Sequence, residues 1–222
     1  MPYAKKWVAE CLGTALLLAI VIGSGIMGDV LSTDDAVALL GNTLATGAGL
    51  VVLIWMFGPI SGAHFNPAVT LSFLLQRQIG PAAATGFILA QIIGAFLGVW
   101  LAHGMFDLEI MQVSIKAREG IGQVLGESVA TFALVLTILL TVRQRPEAVA
   151  VAVGLVIVAG YWFTSSTSFA NPAVTLARSL SDTFAGIAPS SIPGFLLGQG
   201  IGMLAATGIA GWLVPAARPQ TA

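Results

Sequence analysis

Residues 64–74 read HFNPAVTLSFL and residues 169–179 read FANPAVTLARS, so the hexapeptide NPAVTL occurs twice in the chain. Asparagine is a favoured N-cap residue, and proline is favoured at the first helical position because its missing N–H costs nothing there. Each copy therefore predicts the start of a helix. Each apolar stretch is about ten residues long, and at ~1.5 Å rise per residue such a helix crosses only about half of a ~30 Å bilayer core.

The composition is that of a membrane protein. Of the 222 residues, 57% are hydrophobic and 9% are charged, whereas a typical soluble domain is about 25% charged. The formal net charge of −1 argues against a nucleic-acid-binding protein, because such a protein needs a basic face. We therefore expect the lipid bilayer to surround most of the chain.

Six apolar segments are long enough to cross a bilayer, which takes about 20 helical residues. They lie near 5–28, 37–58, 82–104, 120–142, 147–163 and 191–214. The two Asn-Pro segments are too short to span. The predicted fold is therefore an all-α membrane protein with six transmembrane helices and two re-entrant half-helices.

The chain also contains an internal duplication. Three features recur in the same order: Asn66 and Asn171, Glu10 and Glu127, and Gln91 and Gln199. We assign residues 1–106 to the first repeat and residues 117–217 to the second, within a single domain. Because each repeat has three spans, the second repeat is inverted relative to the first, as in inverted-repeat transporters.

The basic residues predict the orientation in the membrane. With six crossings, one side carries Lys5, Lys6, Arg77, Arg143, Arg145 and Arg218. The other side carries Lys116, Arg118 and Arg178. The positive-inside rule then places both termini in the cytoplasm.

Inversion makes the two half-helices enter from opposite faces, so that their N-termini meet near the bilayer midplane. Non-helical backbone at that depth is tolerated only inside protein or beside a wet cavity. We expect each asparagine side-chain oxygen to accept from the backbone N–H three residues on, at Val69 or Val174, leaving its NH₂ group free toward a lumen. The two N-termini also focus positive potential there, which opposes cations and protons.

The paired Asn-Pro-Ala boxes, the segment SGAHFNPAVT and the repeated Glu-x-x-x-Thr pattern resemble the aquaporin and aquaglyceroporin (major intrinsic protein) family. The boxes consist of Asn66, Pro67, Ala68, Asn171, Pro172 and Ala173. The resemblance implies an aquaporin-like right-handed bundle acting as a passive plasma-membrane channel for small uncharged solutes. It also implies a homotetramer with one pore in each subunit, and it implies neither enzymatic activity nor a cofactor.

One departure from this family concerns its outer constriction, the selectivity filter. The family usually has arginine directly after the second box, where this chain has Val174. The other filter positions match Thr46, Ser168 and either Tyr161 or Ala159, depending on a gap in the following loop. We expect a wide, weakly polar filter that repels cations less, passing water, polyols such as glycerol and neutral metalloid hydroxides such as arsenous acid. The run 169–187 resembles a bacterial branch of the family linked to arsenic resistance.

Two residues are candidates for the pore entrances, each with a structural alternative. Arg178 lies four residues after Val174 and can face the pore one turn outward. Alternatively, it can bind carbonyls at the helix C-terminus or contact lipid headgroups. Asp182 is a candidate partner for it. His64 can act as a pH sensor or simply position its loop.

Glu10 and Glu127 lie inside spans, where an acidic residue is costly. We expect each to accept N–H groups from the loop before one Asn-Pro-Ala helix. The alternative is an ion-coupled secondary transporter, which would need convergent acids at the midplane. His64 and His103 lie far apart with no cysteine or carboxylate cluster beside them, so we expect no metal site, and we place His103 at the membrane interface.

Overall fold

The computed structural model describes residues 2–214, which form eight α-helices and two 3₁₀ turns, and this range contains no strand. The helices are α1 (Tyr3–Leu31), α2 (Asp35–Ser61), α3 (Pro67–Leu75), α4 (Pro81–Met105), α5 (Ile121–Gln144), α6 (Val149–Phe163), α7 (Pro172–Arg178) and α8 (Ile192–Leu213). Arg218 and the last residues of the second predicted repeat lie outside the described residues.

Six of these helices are long and apolar enough to cross a membrane, counting with α6 and α8 the 3₁₀ turns that precede them. They coincide with the six predicted segments, so the predicted fold class is confirmed. The fifth span ends at the predicted residue but begins differently from the prediction. Pro146–Ala148 forms a 3₁₀ turn, and the α-helix itself begins at Val149.

The two half-helices begin as the Asn-Pro pattern predicts. Asn66 and Asn171 are the N-cap residues of α3 and α7, with extended backbone at φ −155° and −157°. Prolines occupy the first position of each helix. Helix α3 has 9 residues and α7 has 7, which confirms that neither can span the bilayer.

The packing follows the duplication. Helix α1 packs against α2 and α4, and α5 packs in the same way against α6 and α8. Half-helix α7 of the second repeat contacts α4 of the first, and α3 contacts α8 in return. The half-helices α3 and α7 also contact each other, as do α2 and α6. Exchanging the two repeats therefore leaves this set of contacts unchanged, which is the property of a pseudo-two-fold axis between them.

Glycines permit the closest of these helix contacts. Gly94 and Gly98 of α4 lie against the backbone of α1, where a Cβ at Gly98 would overlap the Ala15 carbonyl oxygen. Gly198 and Gly202 of α8 lie against α5 in the same way. Small residues four apart let helix backbones approach closely in membranes. These contacts fix α1, α4, α5 and α8 around the half-helices.

Candidate functional site: a cavity through the centre of the bundle

A cavity with about 90 Å³ of space for water-sized molecules lies between the two repeats. Its wall contains eight of the residues selected from the sequence: Thr46, His64, Asn66, Tyr161, Ser168, Asn171, Val174 and Arg178. Glu10 and Glu127 do not line it, and neither do the proline and alanine of either box. The fold therefore brings most of the predicted polar set to one place.

The two box asparagines are joined across the repeats by reciprocal hydrogen bonds. Asn66 Nδ2 donates to the carbonyl oxygen of Ala170 at 2.7 Å, and Asn171 Nδ2 donates to that of Phe65 at 2.8 Å. Each asparagine thus binds the residue directly before the other box. This exchange holds the tips of the two half-helices together beside the cavity.

These contacts change two details of the sequence prediction. The Asn66 side-chain oxygen accepts from Ala68 N at 2.8 Å, one residue earlier than the predicted Val69. Asn171 accepts from both Ala173 N and the predicted Val174 N, at 3.0 and 3.3 Å. The NH₂ groups are also not wholly free, because each gives a proton to the opposite repeat. Since an amide nitrogen carries two protons, one donor per asparagine remains for the lumen.

The segments before the boxes have unusual backbone conformations. Ala63 and Phe65 have φ of 50° and 48°, and Thr167, Ser168 and Ala170 have φ between 47° and 59°. Residues other than glycine rarely adopt this left-handed region, at a cost of about 1–3 kcal/mol each. Such a conformation persists only where surrounding contacts hold it.

Glu10 supplies those contacts in the first repeat. Its carboxylate accepts from the backbone N–H groups of His64 and Phe65 at 3.0 and 2.7 Å. It also accepts from Ser61 Oγ at 2.5 Å and from Gln91 Nε2 at 2.8 Å. Four donors therefore surround a fully buried acid that does not reach the cavity.

Glu127 makes the equivalent contacts in the second repeat. It accepts from the backbone N–H groups of Phe169 and Ala170 at 2.8 and 2.9 Å, and from Gln199 Nε2 at 2.6 Å. Its side chain is also fully buried. Both acids thus hold a strained loop, which is the arrangement expected of a scaffold.

Two threonines complete this network, although neither was predicted from the sequence as a site residue. Gln91 Nε2 also donates to Thr70 Oγ1 at 3.0 Å, and Gln199 Nε2 donates to Thr175 Oγ1 at 2.7 Å. Each threonine is the fifth residue of the repeated hexapeptide. The sequence did hold one indication of this role: the threonine occurs in both copies of the hexapeptide, and the glutamine that binds it occurs in both repeats.

The four residues of the predicted filter all line the cavity. Thr46 Oγ1 and the Tyr161 hydroxyl are 3.3 Å apart, and both side chains are buried. Tyr161 lines the cavity whereas Ala159 is exposed on the outside of α6. Ser168, in the loop before α7, and Val174, in α7, also line the cavity.

The rest of the cavity wall is apolar. Helices α1, α2, α5 and α6 contribute aliphatic side chains: Leu17, Val21, Leu50, Ile54, Leu134, Ile138, Val153 and Ile157. The polar atoms come from the loops, from the asparagines, and from Thr46, Tyr161 and Arg178. The lumen therefore combines hydrogen-bonding groups with an aliphatic surface.

Arg178 lies in the cavity wall at the end of α7 and is 3% exposed. Its Nε donates to the carbonyl oxygen of Ala185, and its guanidinium carbon is 3.4 Å from the centroid of the Phe169 ring. Asp182, the partner suggested by the sequence, instead accepts from the backbone N–H of Ile115. Arg178 therefore does not bind the last carbonyls of its own helix.

His64 lies in the cavity wall on the side of the first repeat. Its Nδ1 is 3.1 Å from Thr70 Oγ1. Its ring lies 4.7 Å from the Phe73 ring and 5.2 Å from the Phe87 ring, between centroids. The ring is thus packed between two aromatic side chains.

The connector between α4 and α5 folds over the second repeat and carries two further cations. Lys116 Nζ donates to the carbonyl oxygen of Phe184, and Arg118 Nε donates to that of Gly186. Burial lowers the pKa of the Lys116 ammonium, and the neighbouring Arg118 and Arg178 charges lower this pKa further. Asp35 and Asp29 act in the opposite direction on the pKa of Lys116. Beside the cavity itself, Arg118 and Arg178 bring two positive charges to the Phe169 ring.

His103 is not interfacial, contrary to the expectation. It is fully buried, with Nδ1 3.0 Å from the Ile110 carbonyl oxygen and Nε2 2.9 Å from Ser181 Oγ. It fastens the connector to the segment after α7. Among residues 2–214 no cluster of three metal-binding side chains is found.

Comparison with known proteins agrees with this geometry. The family model described as Major intrinsic protein matches residues 1–147. Aquaglyceroporin AqpS of Rhizobium meliloti (strain 1021) is 53% identical over 215 residues, which cover 97% of this chain and 92% of that relative. Aquaporin-1 of Bos taurus is 34% identical over 151 residues, which cover 62% of this chain and 55% of that relative.

A solved structure shares the fold. The aquaglyceroporin from Plasmodium falciparum matches with a TM-score of 0.72 at 22% identity, covering 96% of this chain and 98% of that chain. The family model and a relative aligned over nearly the whole chain both point to the same group of membrane channels. The chain is a multi-pass membrane protein and belongs to the major intrinsic protein family.

Proposed function

We propose that this protein is a passive membrane channel for water and small uncharged solutes, with glycerol-like polyols as the main class. The observation that carries the proposal is the two-sided lumen, in which asparagine donors and strained loops face an aliphatic wall. A polyol presents hydroxyl groups on one side of its chain and C–H groups on the other. Such a lumen replaces the hydration of the hydroxyls and still accommodates the carbon chain.

Asn66 and Asn171 have the central role in this proposal. Each keeps one amide proton beside the cavity after its bond to the opposite repeat. A passing oxygen can accept from both asparagines in turn. The proline and alanine of each box start and pack the half-helices rather than contact the solute, since they do not line the cavity.

Thr46, Tyr161, Ser168 and Val174 form the proposed selectivity filter. Valine brings no charge and no donor to a position where arginine would bring five donors. The filter is therefore wide enough for polyols and for neutral metalloid hydroxides such as arsenous acid, which carry several hydroxyls on a compact centre. The relative named aquaglyceroporin AqpS supports the polyol class.

The alternative function, ion-coupled secondary transport, lacks the acidic coupling site that it would need. Coupling needs charged or convergent oxygen ligands at the midplane. Within the described chain, no aspartate or glutamate lines the cavity. Glu10 and Glu127 are saturated with N–H and O–H donors from their loops. In a family of channels, an enzymatic role has no support either.

The assembly and placement that we propose follow the family. The protein forms a homotetramer in the plasma membrane, with one pore in each subunit and both termini in the cytoplasm. Exposed apolar side chains on the spans, such as Leu89 and Leu155, face lipid or a neighbouring subunit. His64 lies at the cytoplasmic entrance of the pore.

Flux measurements test the function. Purified protein in liposomes should accelerate glycerol and urea uptake, followed by light scattering after rapid mixing, without an ionic current. Val174→Arg should reduce solute uptake while leaving water permeability in place, because the new side chain narrows the filter. Equal solute uptake in loaded and empty liposomes would contradict the channel, and unchanged uptake in Val174→Arg would contradict the filter.

A further inference from the structure

The two ends of the cavity carry equivalent side-chain stacks with different chemistry. His64 and Phe169 each lie two residues before a box asparagine, and Phe73 and Arg178 each lie seven residues after it. His64 stacks on Phe73 at 4.7 Å between ring centroids, and Phe169 stacks on Arg178 at 3.4 Å. All four line the cavity.

A third aromatic residue completes each stack at matching positions of α4 and α8. Phe87 lies 5.2 Å from the His64 ring, and Phe195 lies 4.9 Å from the Phe169 ring, between centroids. The two stacks therefore occupy the same place in each repeat. They differ at the other two positions. The stack of the first repeat (the inner stack) holds His64 and Phe73, where the stack of the second repeat (the outer stack) holds Phe169 and Arg178.

The Arg178 charge has no counter-ion within residues 2–214. Its Nε is bound by the Ala185 carbonyl oxygen, and its two Nη groups make no hydrogen bond in that range. The Glu127 carboxylate, whose charge acts on Arg178, already accepts hydrogen bonds from Phe169, Ala170 and Gln199. The neighbouring Arg118 adds a second cation, 5.0 Å from the same Phe169 ring.

An unpaired arginine at membrane depth is costly and therefore points to a function. Phe169 lowers part of that cost through a cation–π contact. Of the five N–H donors of the guanidinium, the four on its two Nη groups are not used by protein acceptors within residues 2–214. The groups available to it are oxygen atoms of molecules inside the cavity.

We propose that Arg178 sets the charge selectivity of the pore, binding the oxygen atoms of neutral solutes at the outer end and repelling cations. This inference rests on the proposed channel function and deepens it. It replaces the expectation, drawn from Val174 alone, that this end repels cations only weakly. The charge comes from the end of α7, one turn beyond the position of Val174.

Urea and guanidinium are the probes, because they are planar and nearly equal in size but differ in charge. Uptake of each solute into proteoliposomes is measured for the wild type and for Arg178→Phe. This variant has at position 178 the residue that the first repeat has at the equivalent position, Phe73. We expect the wild type to pass urea and to exclude guanidinium. In Arg178→Phe, guanidinium uptake should rise about tenfold or more, because a like charge within several ångströms has been removed.

Arg178→Lys is the matched control, since it keeps the charge and loses the planar fork. It should still exclude guanidinium, and its urea uptake should fall because one ammonium replaces the two free Nη groups. Unchanged guanidinium exclusion in Arg178→Phe, with elution as a single species in detergent and an unfolding temperature like that of the wild type as proof of folding, would overturn the inference. Absence of urea uptake in the wild type would instead overturn the channel function itself.

Should Arg178→Phe fail to fold, Arg178→Gln provides the same test with a polar side chain of similar reach. Its elution as a single species in detergent and its unfolding temperature report folding independently of solute uptake. Guanidinium uptake equal to that of the wild type in this variant would overturn the inference as well.

Discussion

At the scale of single residues, Glu127 shows how a buried acid shapes the pore without lining it. Its carboxylate accepts three N–H groups, two of them from the strained backbone at Phe169 and Ala170. In Glu127→Gln, an NH₂ group replaces one carboxylate oxygen and faces a donor. Leaving a buried donor unpaired costs about 1–3 kcal/mol. We expect lower solute flux and a lower unfolding temperature in detergent.

Glu147→Gln is the control for this prediction, because Glu147 is exposed in the 3₁₀ turn before α6. It removes the same charge and should change neither flux nor unfolding temperature. If Glu127→Gln behaved like this control, the carboxylate would not be holding the loop. Glu10 gives an independent test in the other repeat, with the same expected outcome.

At the scale of helices, the approach of α8 to α5 depends on the absence of side chains. In Gly202→Ala, the added methyl group would overlap the Ser128 carbonyl oxygen. Overpacking of this kind costs about 1–3 kcal/mol. We therefore expect a lower unfolding temperature in detergent, with α8 displaced from α5.

Gly200→Ala, two residues earlier on the same helix, is the matched control because nothing lies within 4 Å of its added Cβ. Alanine also favours the helical state over glycine by about 0.5–1 kcal/mol, so this variant should be equal to the wild type or more stable. Equal unfolding temperatures for the two variants would show that the close contact does not limit stability.

The sequence predicts helices well and loop conformations poorly in this protein. Hydropathy and the Asn-Pro signal locate all eight helices, because span length and capping are local properties. The bonds from Asn66 to Ala170 and from Asn171 to Phe65 were not predictable. They require positive φ at Phe65 and Ala170, against the intrinsic preference of those residues, and only the tertiary contacts of Glu10 and Glu127 maintain it.

The same limit applies to polar side chains whose partners are distant in the sequence. His103 was expected at the interface because it lies near the end of a span. It is buried because the connector bends back over it and Ser181 provides a partner 78 residues away. The position of Arg178 in the cavity wall depends likewise on its contact with the Phe169 ring. The spacing of residues along a helix does not predict that contact.

At the scale of the whole molecule, the inverted repeat and the charge distribution together predict one orientation. Of the described basic residues, Lys5, Lys6, Arg77, Arg143 and Arg145 belong to one side of the membrane. Because cationic connectors stay in the cytoplasm, the connector between α3 and α4 should be cytoplasmic. The connector between α4 and α5 should then face outside.

Single cysteines test this orientation in a Cys11→Ser background, since Cys11 is the only native cysteine. Gln78→Cys and Met111→Cys lie on exposed connectors at opposite ends of the bundle. A charged, membrane-impermeant maleimide should label Met111→Cys in right-side-out vesicles and Gln78→Cys only in inside-out vesicles. The reverse pattern would place both termini outside, and it would also reverse the two cavity ends, so that the Arg178 stack would face the cytoplasm.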